Sequence, residues 1–439
     1  MTEFPYGKKV AVLGLGKSGF ESAVFLLQKG FRIFASEKSN SPEMQAKASA
    51  LRKLGAQVET GKHSDVQILS SDWVIISPGI PPSAPIYRAL RAANVPAVSE
   101  IEAAFLFSPA ARVIAVTGTS GKTTVTTLIA RVVEAAGRRA VLCGNIGTPW
   151  ISQINRSSPD DIIVLEVSSF QLQNCFRFNP WIGILLNLSA NHQDWHADMP
   201  EYAGAKLRMF QNQTGEDFYI IRKQDEHFFP KGFSFRGRRI YLDEPVSGIK
   251  ESGSLNPNES VVFRVARILG IPDEIVHNVL SRFEGIEHRL EFVRTVSGVN
   301  FVNDSKCTST ASLLWGLQKF PDQSVVLIAG GHPKADDFHE VGPLIRQKCR
   351  KVILIGEARP LMRKAWQGIC PIDETDDFKE AVEWAFRAAV SQNVVLLSPA
   401  CASFDMFRNY EERGKRFKSI VSELSGNPAP FFSNKTLTQ

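Results

Sequence analysis

The segment Thr117-Gly118-Thr119-Ser120-Gly121-Lys122-Thr123-Thr124 carries the clearest chemical signature in the chain. Glycines let consecutive backbone N–H groups curl around an anion. A lysine at this position reaches the outer phosphates of a nucleotide, and the Thr123 hydroxyl can ligate Mg2+. The common spacing is GxxxxGK[ST]; here Val116 stands six before Lys122, so the glycine-to-lysine interval is shorter than usual. Glu166 closes the apolar run Ile162-Ile163-Val164-Leu165. A carboxylate at the carboxyl end of a strand, beside a phosphate loop, is where a Mg2+ ligand is expected. His192 and Asp194 follow a second apolar run, Ile182 to Leu188. His192 and His196 are spaced like zinc ligands on a helix, but the Glu of HExxH and nearby cysteines are missing, which argues against zinc.

Other motifs are weaker alone. Gly14-x-Gly16-x-x-Gly19, with Lys17 and Ser18 inside it, suits a turn between strand and helix that admits a phosphate. Glu37, 18 residues beyond Gly19, is placed to accept from a ribose hydroxyl. The ligand there is a nicotinamide dinucleotide or another nucleotide diphosphate; a tight turn with no ligand is the plain alternative. Lys206, in Ala203-Gly204-Ala205-Lys206, belongs by composition alone on a solvated helix face. His288-Arg289 sits at a boundary, and an arginine there is by itself more often structural than a triphosphate clamp. Asn303-Asp304-Ser305-Lys306 and Ser398-Pro399-Ala400-Cys401-Ala402-Ser403 each follow a strand end, the usual place for ligands in an open parallel sheet. Cys401 has no base beside it and is expected to be a small buried thiol.

The elements that must hold these residues alternate. Strands are expected at Lys9 to Leu13, Phe31 to Ala35, Trp73 to Ile76, Val113 to Val116, Ile162 to Leu165, Ile182 to Leu188, Val299 to Val302, Val325 to Ala329, Val352 to Ile355 and Val394 to Leu397. Helices are expected from about Phe20 to Lys29, from the phosphate loop to about Ala136, and over Ala381 to Ala389. The pattern implies an α/β protein with parallel sheets in three units, the second opening near Ala110 and the third near Gly285. Residues 211–260, rich in Gly, Ser, Asn and charge, yield no clear elements.

With 439 residues, about three domains are expected on size alone. Lys+Arg 51 against Asp+Glu 45 leaves +6 without a long basic run, which does not suggest a nucleic-acid binder. No run of 18 apolar residues is present, so no membrane span is expected. The N-terminus lacks a signal-like apolar core, and the six cysteines are scattered without a CxxC pair; both fit a cytoplasmic protein.

Taken together, these motifs resemble the Mur ligase family across essentially the whole chain. Gly144-Asn145-Ile146-Gly147, Ser168-Ser169-Phe170-Gln171-Leu172 and Tyr202-x-x-Ala205-Lys206 add to the match. Within the family, the Ser-Ser-Phe-Gln-Leu and Ser-Pro-Ala-Cys-Ala-Ser stretches look most like the D-glutamate-adding members. The resemblance implies a Rossmann-like UDP-substrate domain (1–101), a central P-loop ATPase-like domain (102–286) and a Rossmann-like amino-acid domain (287–439). It implies an ATP-dependent amide ligase that joins D-glutamate to UDP-N-acetylmuramoyl-L-alanine through an acyl phosphate, in bacterial peptidoglycan synthesis. The chain is then expected to act as a monomer on small molecules.

By the same resemblance, Gly118 to Thr124, Asn256, Arg289 and Asp304 contact ATP, with Lys122 on the β- and γ-phosphates. Two Mg2+ ions are implied, one on Thr123 and Glu166, the other on His192 and a carbamylated Lys206. Gly16, Lys17, Ser18, Glu37 and Asn145 meet the UDP substrate. Lys306, Thr308, Lys334, Ser403 and Tyr410 surround D-glutamate. The chain departs from the family pattern at Asn191 (usually Asp), at Glu259 (usually a second Asn after Asn256), at Tyr410 (usually Phe) and at Ser39, in place of a basic residue. Alternatives are a related ligase taking another amino acid, a folylpolyglutamate-type ligase, a nucleotide-binding relative without ligase chemistry, and a nicotinamide-dependent dehydrogenase. The last leaves Lys122 and Thr123 without purpose.

Overall fold

The computed structural model describes residues 7–189, 198–246, 256–283, 285–333 and 337–425. It falls into two compact units, Met1–Phe283 and Glu284–Gln439. The first unit contains two sheets. One is built from β1 (Lys9–Leu13), β2 (Arg32–Glu37), β3 (Gln57–Thr60), β4 (Trp73–Ile76) and β5 (Ala97–Val98), in the order β3-β2-β1-β4-β5 and parallel throughout. The strand order reverses between β1 and β4, and the turn Gly14–Gly19 leaves β1 at that switch point, where a parallel sheet opens a crevice.

The other sheet contains β6 (Arg112–Thr117), β7 (Ala140–Gly144), β8 (Ile162–Glu166), β9 (Ile182–Leu185), β10 (Phe218–Ile221) and β11 (Arg238–Tyr241), in the order β11-β10-β9-β6-β8-β7. It too is parallel. β6, β8 and β9 are Ile- and Val-rich and almost wholly buried, as strands covered on both faces must be. β6 lies between β8 and β9, with Val116 beside Glu166 and Thr117 beside Leu185. The carboxyl ends of all three therefore open at one place. Helix Lys122–Ala135 leaves β6 there and packs Val125, Leu128, Ile129, Val132 and Val133 into the core with Val261, Phe263 and Val265.

The second unit has one sheet: β12 (Glu291–Val296), β13 (Val299–Asn303), β14 (Val325–Gly330), β15 (Cys349–Ile355), β16 (Ile372–Glu374) and β17 (Val394–Leu397), in the order β12-β13-β17-β14-β15-β16. β12 pairs antiparallel with β13, so this sheet is mixed and not the purely parallel one expected. A hairpin turn explains it: Ser297 and Gly298 both take positive φ (50° and 78°), as a tight turn between twisted strands requires.

The structure moves several expected boundaries. The first helix begins at Lys17, three residues before Phe20, because Gly16 already serves as its N-cap. The run to Leu188 leaves the sheet after Leu185. Residues 211–260 contribute β10, β11 and the start of helix Pro257–Ile268.

The two sheets of the first unit share one apolar cluster, from Val10 and Trp73 to Ile163 and Leu185. Helix Glu100–Phe107 bridges them, and it carries two buried carboxylates. Glu102 accepts from the amides of Phe176 (3.0 Å), Arg177 (2.8 Å) and Phe178 (3.0 Å), so its charge is matched by backbone dipoles. Glu100 accepts from the Ile151 amide at 2.7 Å, and burial pushes its carboxyl up from an ordinary 4.5 to about 7. Between those values the folded chain holds a proton that the unfolded chain has released, so stability falls as pH rises from 4.5 to 7 and then levels. Glu100→Gln removes this loss. Its melting temperature should match the parent's below pH 4.5, exceed it increasingly towards neutrality and hold that margin above pH 7, read by thermal denaturation across the series.

Candidate functional site

At the carboxyl ends of β6, β8 and β9, local geometry places the chemical groups. Gly118 and Gly121 take φ of +148° and +81°, values that side chains with a Cβ rarely adopt, and so bend the loop tightly. A Cβ on Gly121 would lie 2.7 Å from Asn258 Oδ1. Lys122 Nζ donates to the carbonyls of Gly118 (2.8 Å) and Thr119 (3.0 Å). Thr119 and Ser120 are tied to the segment after β9, chiefly to Asn187.

Lys206 lies on helix Met199–Leu207 and is 2% exposed, which corrects the expectation of a solvated face. Its Nζ donates to Gly118 O at 3.1 Å, the carbonyl that Lys122 also uses, and lies 4.5 Å from the Tyr202 ring centroid. Burial, reinforced by the Lys122 charge and only partly offset by Glu166, holds its ammonium well below the usual lysine range. Glu166 ends β8 and is 2% exposed. Its Oε1 accepts from Asn145 Nδ2 at 2.7 Å, whereas its Oε2 is buried with no hydrogen-bond partner among the described residues. The adjoining turn is close-packed: a Cβ on Gly144 would lie 2.3 Å from Glu166 O.

The glycine turn after β1 reaches this region, since Lys17 Nζ donates to Gly147 O, two residues beyond Asn145. Gly16 caps the helix, and Ser18 O accepts from Ser22 Oγ at 2.7 Å. A Cβ on Gly19 would lie 1.9 Å from Gly14 O, so this position admits only glycine. Glu37 Oε2 accepts from Leu15 N (2.6 Å) and its Oε1 from Ser39 N (2.8 Å). Its carboxylate shapes the turn from within. Asn256 caps helix Pro257–Ile268, accepting from Asn258 N (3.0 Å) and Glu259 N (3.1 Å). Glu259 Oε2 accepts from Asn256 N in return (3.1 Å), so the departure at Glu259 completes a capping box.

In the C-terminal unit, Asp304 Oδ2 accepts from Ser398 Oγ (2.8 Å) and Oδ1 from Leu290 N (3.3 Å), and burial pushes its carboxyl up to about 6. Arg413, buried and missed by sequence reasoning, stitches the two expected loops together. It donates to Ser305 Oγ (3.0 Å) and O (2.9 Å), Cys401 O (3.2 Å) and Ala402 O (3.4 Å). Arg289 closes a short bridge to Ile286. Lys306 Nζ lies 5.6 Å from the Tyr410 ring centroid, Ser403 is buried, Thr308 is half-buried, and Cys401 is the buried thiol expected. His192, with Asn191, Asp194 and His196, and Lys334 lie outside the described residues. The first unit thus brings together Lys122, Glu166, Lys206 and Asn145. Asn187 and Asn258 were missed there; for Asn187 the available signal was a lone polar side chain inside the apolar run Ile182 to Leu188.

Comparison with known proteins agrees with this layout. Residues 8–99 match the Mur ligase MurD-like N-terminal domain, residues 116–239 the Mur ligase middle domain and residues 288–401 the Mur ligase glutamate ligase domain. The UDP-N-acetylmuramoylalanine--D-glutamate ligase of Chloroherpeton thalassium is 38% identical, covering 95% of this chain and 98% of its own. The protein of that name from Aquifex aeolicus is 36% identical, over 94% and 98%. Among solved structures, the UDP-N-acetylmuramate-alanine ligase MurC of Thermotoga maritima superposes with a TM-score of 0.55 at 17% identity, over 94% of this chain and 99% of that one. The MurF ligase of the same organism, in complex with ADP, gives 0.55 at 13%, over 90% and 96%. At these identities the likeness of structure establishes the fold alone.

The buried Lys206 amine leads to a stability prediction. Methionine has nearly the same shape and no ionisable group, and Gly118 O keeps Lys122 as its donor. Lys206→Met should melt at or above the parent's temperature at neutral pH and lose the parent's gain in stability as pH rises, because unfolding no longer takes up a proton at this site. A melt several degrees below the parent's would mean that the amine is held there for stability.

Proposed function

We propose, from the premise that this chain belongs to the Mur ligase family, that it is an ATP-dependent ligase joining D-glutamate to UDP-N-acetylmuramoyl-L-alanine in peptidoglycan synthesis. Its likeness to ligases of that name over nearly full length supports the reading. The observation that carries the chemistry is the meeting of a phosphate-loop lysine, a buried carboxylate with one unpartnered oxygen and a depressed lysine at one end of the central sheet.

The reaction must overcome the inertness of a carboxylate, which repels nucleophiles and has no viable leaving group. The muramoyl-alanine carboxylate oxygen attacks the γ-phosphorus of ATP; the bond to the bridging oxygen breaks and ADP departs. Lys122 holds the β- and γ-phosphates and offsets their charge. The D-glutamate amine then attacks the acyl-phosphate carbonyl and loses a proton, and phosphate leaves with the C–O bond pair. Asn145, held on Glu166, orients the acyl group; Gly16, Lys17 and Ser18 take the UDP moiety, and Glu37 shapes their turn. Lys306, Thr308, Lys334, Ser403 and Tyr410 receive D-glutamate.

The described donors fit Mg2+: the Glu166 oxygen without a partner among the described residues and the Thr123 hydroxyl are hard oxygen ligands, and His192 with a carbamylated Lys206 would hold a second ion. When bound, these ions neutralise charge on the transferring phosphoryl group. A lysine becomes a suitable neighbour for them through carbamylation. An amine whose ammonium is disfavoured by burial is nucleophilic towards CO2; as its N–C bond forms it gives up a proton to solvent, and the product is a carbamate anion with two oxygens. A cytoplasmic location accords with the nucleotide substrates.

Phosphate release from ATP should require both UDP-N-acetylmuramoyl-L-alanine and D-glutamate. With D-glutamate, L-lysine and diaminopimelate in competition, mass spectrometry should find the D-glutamate adduct; dominance of another adduct would reassign the amino acid. Lys206→Ala should be nearly inactive and recover partly with added formate or acetate, and full activity without rescue would remove the carbamate role.

A further inference from the structure

The loop Thr119-Ser120 lies between two glycines in left-handed or near-left-handed backbone, so little in its own sequence holds its shape. The structure holds it from outside. Thr119 N donates to Asn187 O (3.0 Å) and Ser120 N to Asn187 Oδ1 (2.9 Å), while Asn187 Nδ2 donates back to Ser120 O (3.1 Å). Ser120 Oγ also donates to Asn187 Oδ1 (3.3 Å). One amide side chain thus grips both polar groups of a single peptide residue, in the two-point manner of a strand pair.

The gripping segment is itself anchored. Leu186 N donates to Thr117 O (3.0 Å), and Ser189 N donates to Thr119 Oγ1 (3.1 Å). Leu188 N donates to Asp225 Oδ2 (3.1 Å), a buried carboxylate at the start of the 3-10 helix Lys223–Phe228. A Cβ on Gly118 would lie 3.0 Å from Leu186 Cβ, so the two segments are also in close apolar contact.

We propose that Asn187 is a positioning residue of the phosphate loop, which selects the amides that meet the nucleotide. By turning the Thr119 and Ser120 amides onto itself, it directs the anion to the amides from Gly121 into the first turn of helix Lys122–Ala135, where the helix dipole also favours negative charge. Asn187 needs no contact with the substrate to do this. The inference rests on the ligase reading only in taking ATP as the ligand of this loop.

The test uses the full chain and its Asn187→Ala and Asn187→Asp variants. Affinity for a fluorescent ADP analogue with Mg2+ is measured beside the KM of each substrate and the nucleotide-free melting temperature. Asn187→Ala should weaken nucleotide binding and raise KM for ATP by about tenfold or more, leave KM for D-glutamate and the UDP substrate within about twofold, and shift the melt little. Asn187→Asp keeps an acceptor for Ser120 N but cannot donate to Ser120 O and adds a charge near the phosphates. It should bind nucleotide more weakly than the alanine variant, and the difference should shrink as salt rises. Unchanged nucleotide affinity in Asn187→Ala would overturn the proposal, as would a lowered melt with all three KM values raised alike, the mark of a merely structural role. If the parent binds nucleotide but never releases phosphate with both substrates, the ligase reading fails, and the affinity comparison still decides the role of Asn187.

Discussion

Two lysines donate to one carbonyl oxygen, Gly118 O, and the rest of the central site follows from that crowding. Two ammonium groups sharing an acceptor repel each other, and the more deeply buried one gives up its charge most readily. Lys122 is half-buried and donates to the carbonyls of Gly118 and Thr119. Lys206 is buried, with its Nζ over the Tyr202 ring. Burial thus separates the two, and Lys206 is the one whose ammonium form is disfavoured. Glu166 completes the arrangement, fixed at one oxygen by Asn145 and, among the described residues, without a partner at the other.

The same economy recurs at other charges among the described residues. Glu102 is matched by three backbone amides and Arg413 by three carbonyls and a hydroxyl, each fixing segments distant in sequence. Glu37 holds the first glycine turn and Asp225 the segment behind the phosphate loop. None of these charges is neutralised by a counter-charge at the contact. Backbone dipoles are used, and dipoles hold geometry as well as charge. A loop fastened in this way is preorganised, which is what positioning a triphosphate or an amino acid demands.

The legibility of this chain varied with the range of the interaction. Buried strands such as Val113 to Val116 and Ile162 to Leu165 stood out because burial on both faces leaves a continuous apolar run. The antiparallel β12 was missed because its residues are half exposed, although Ser297-Gly298 marked the turn. Lys206 was misplaced by composition, since nothing within one helix says that a phosphate loop will close over it. Glu37, expected at the UDP substrate, also holds the amides of Leu15 and Ser39, contacts that no local pattern announces.

Order along the chain, alternation of strand and helix, and the residue types of the phosphate loop are local properties, and the amino-acid sequence determined them unaided. Bond angles, side-chain shape and the hydrophobic period of each element act over a few residues. Which carboxylate keeps an oxygen without a partner among the described residues, which lysine has its charge disfavoured and which asparagine grips Ser120 were decided only when β6, β8 and β9 lay side by side. Desolvation and hydrogen bonding depend on neighbours in space, and those neighbours come from residues scores of positions apart.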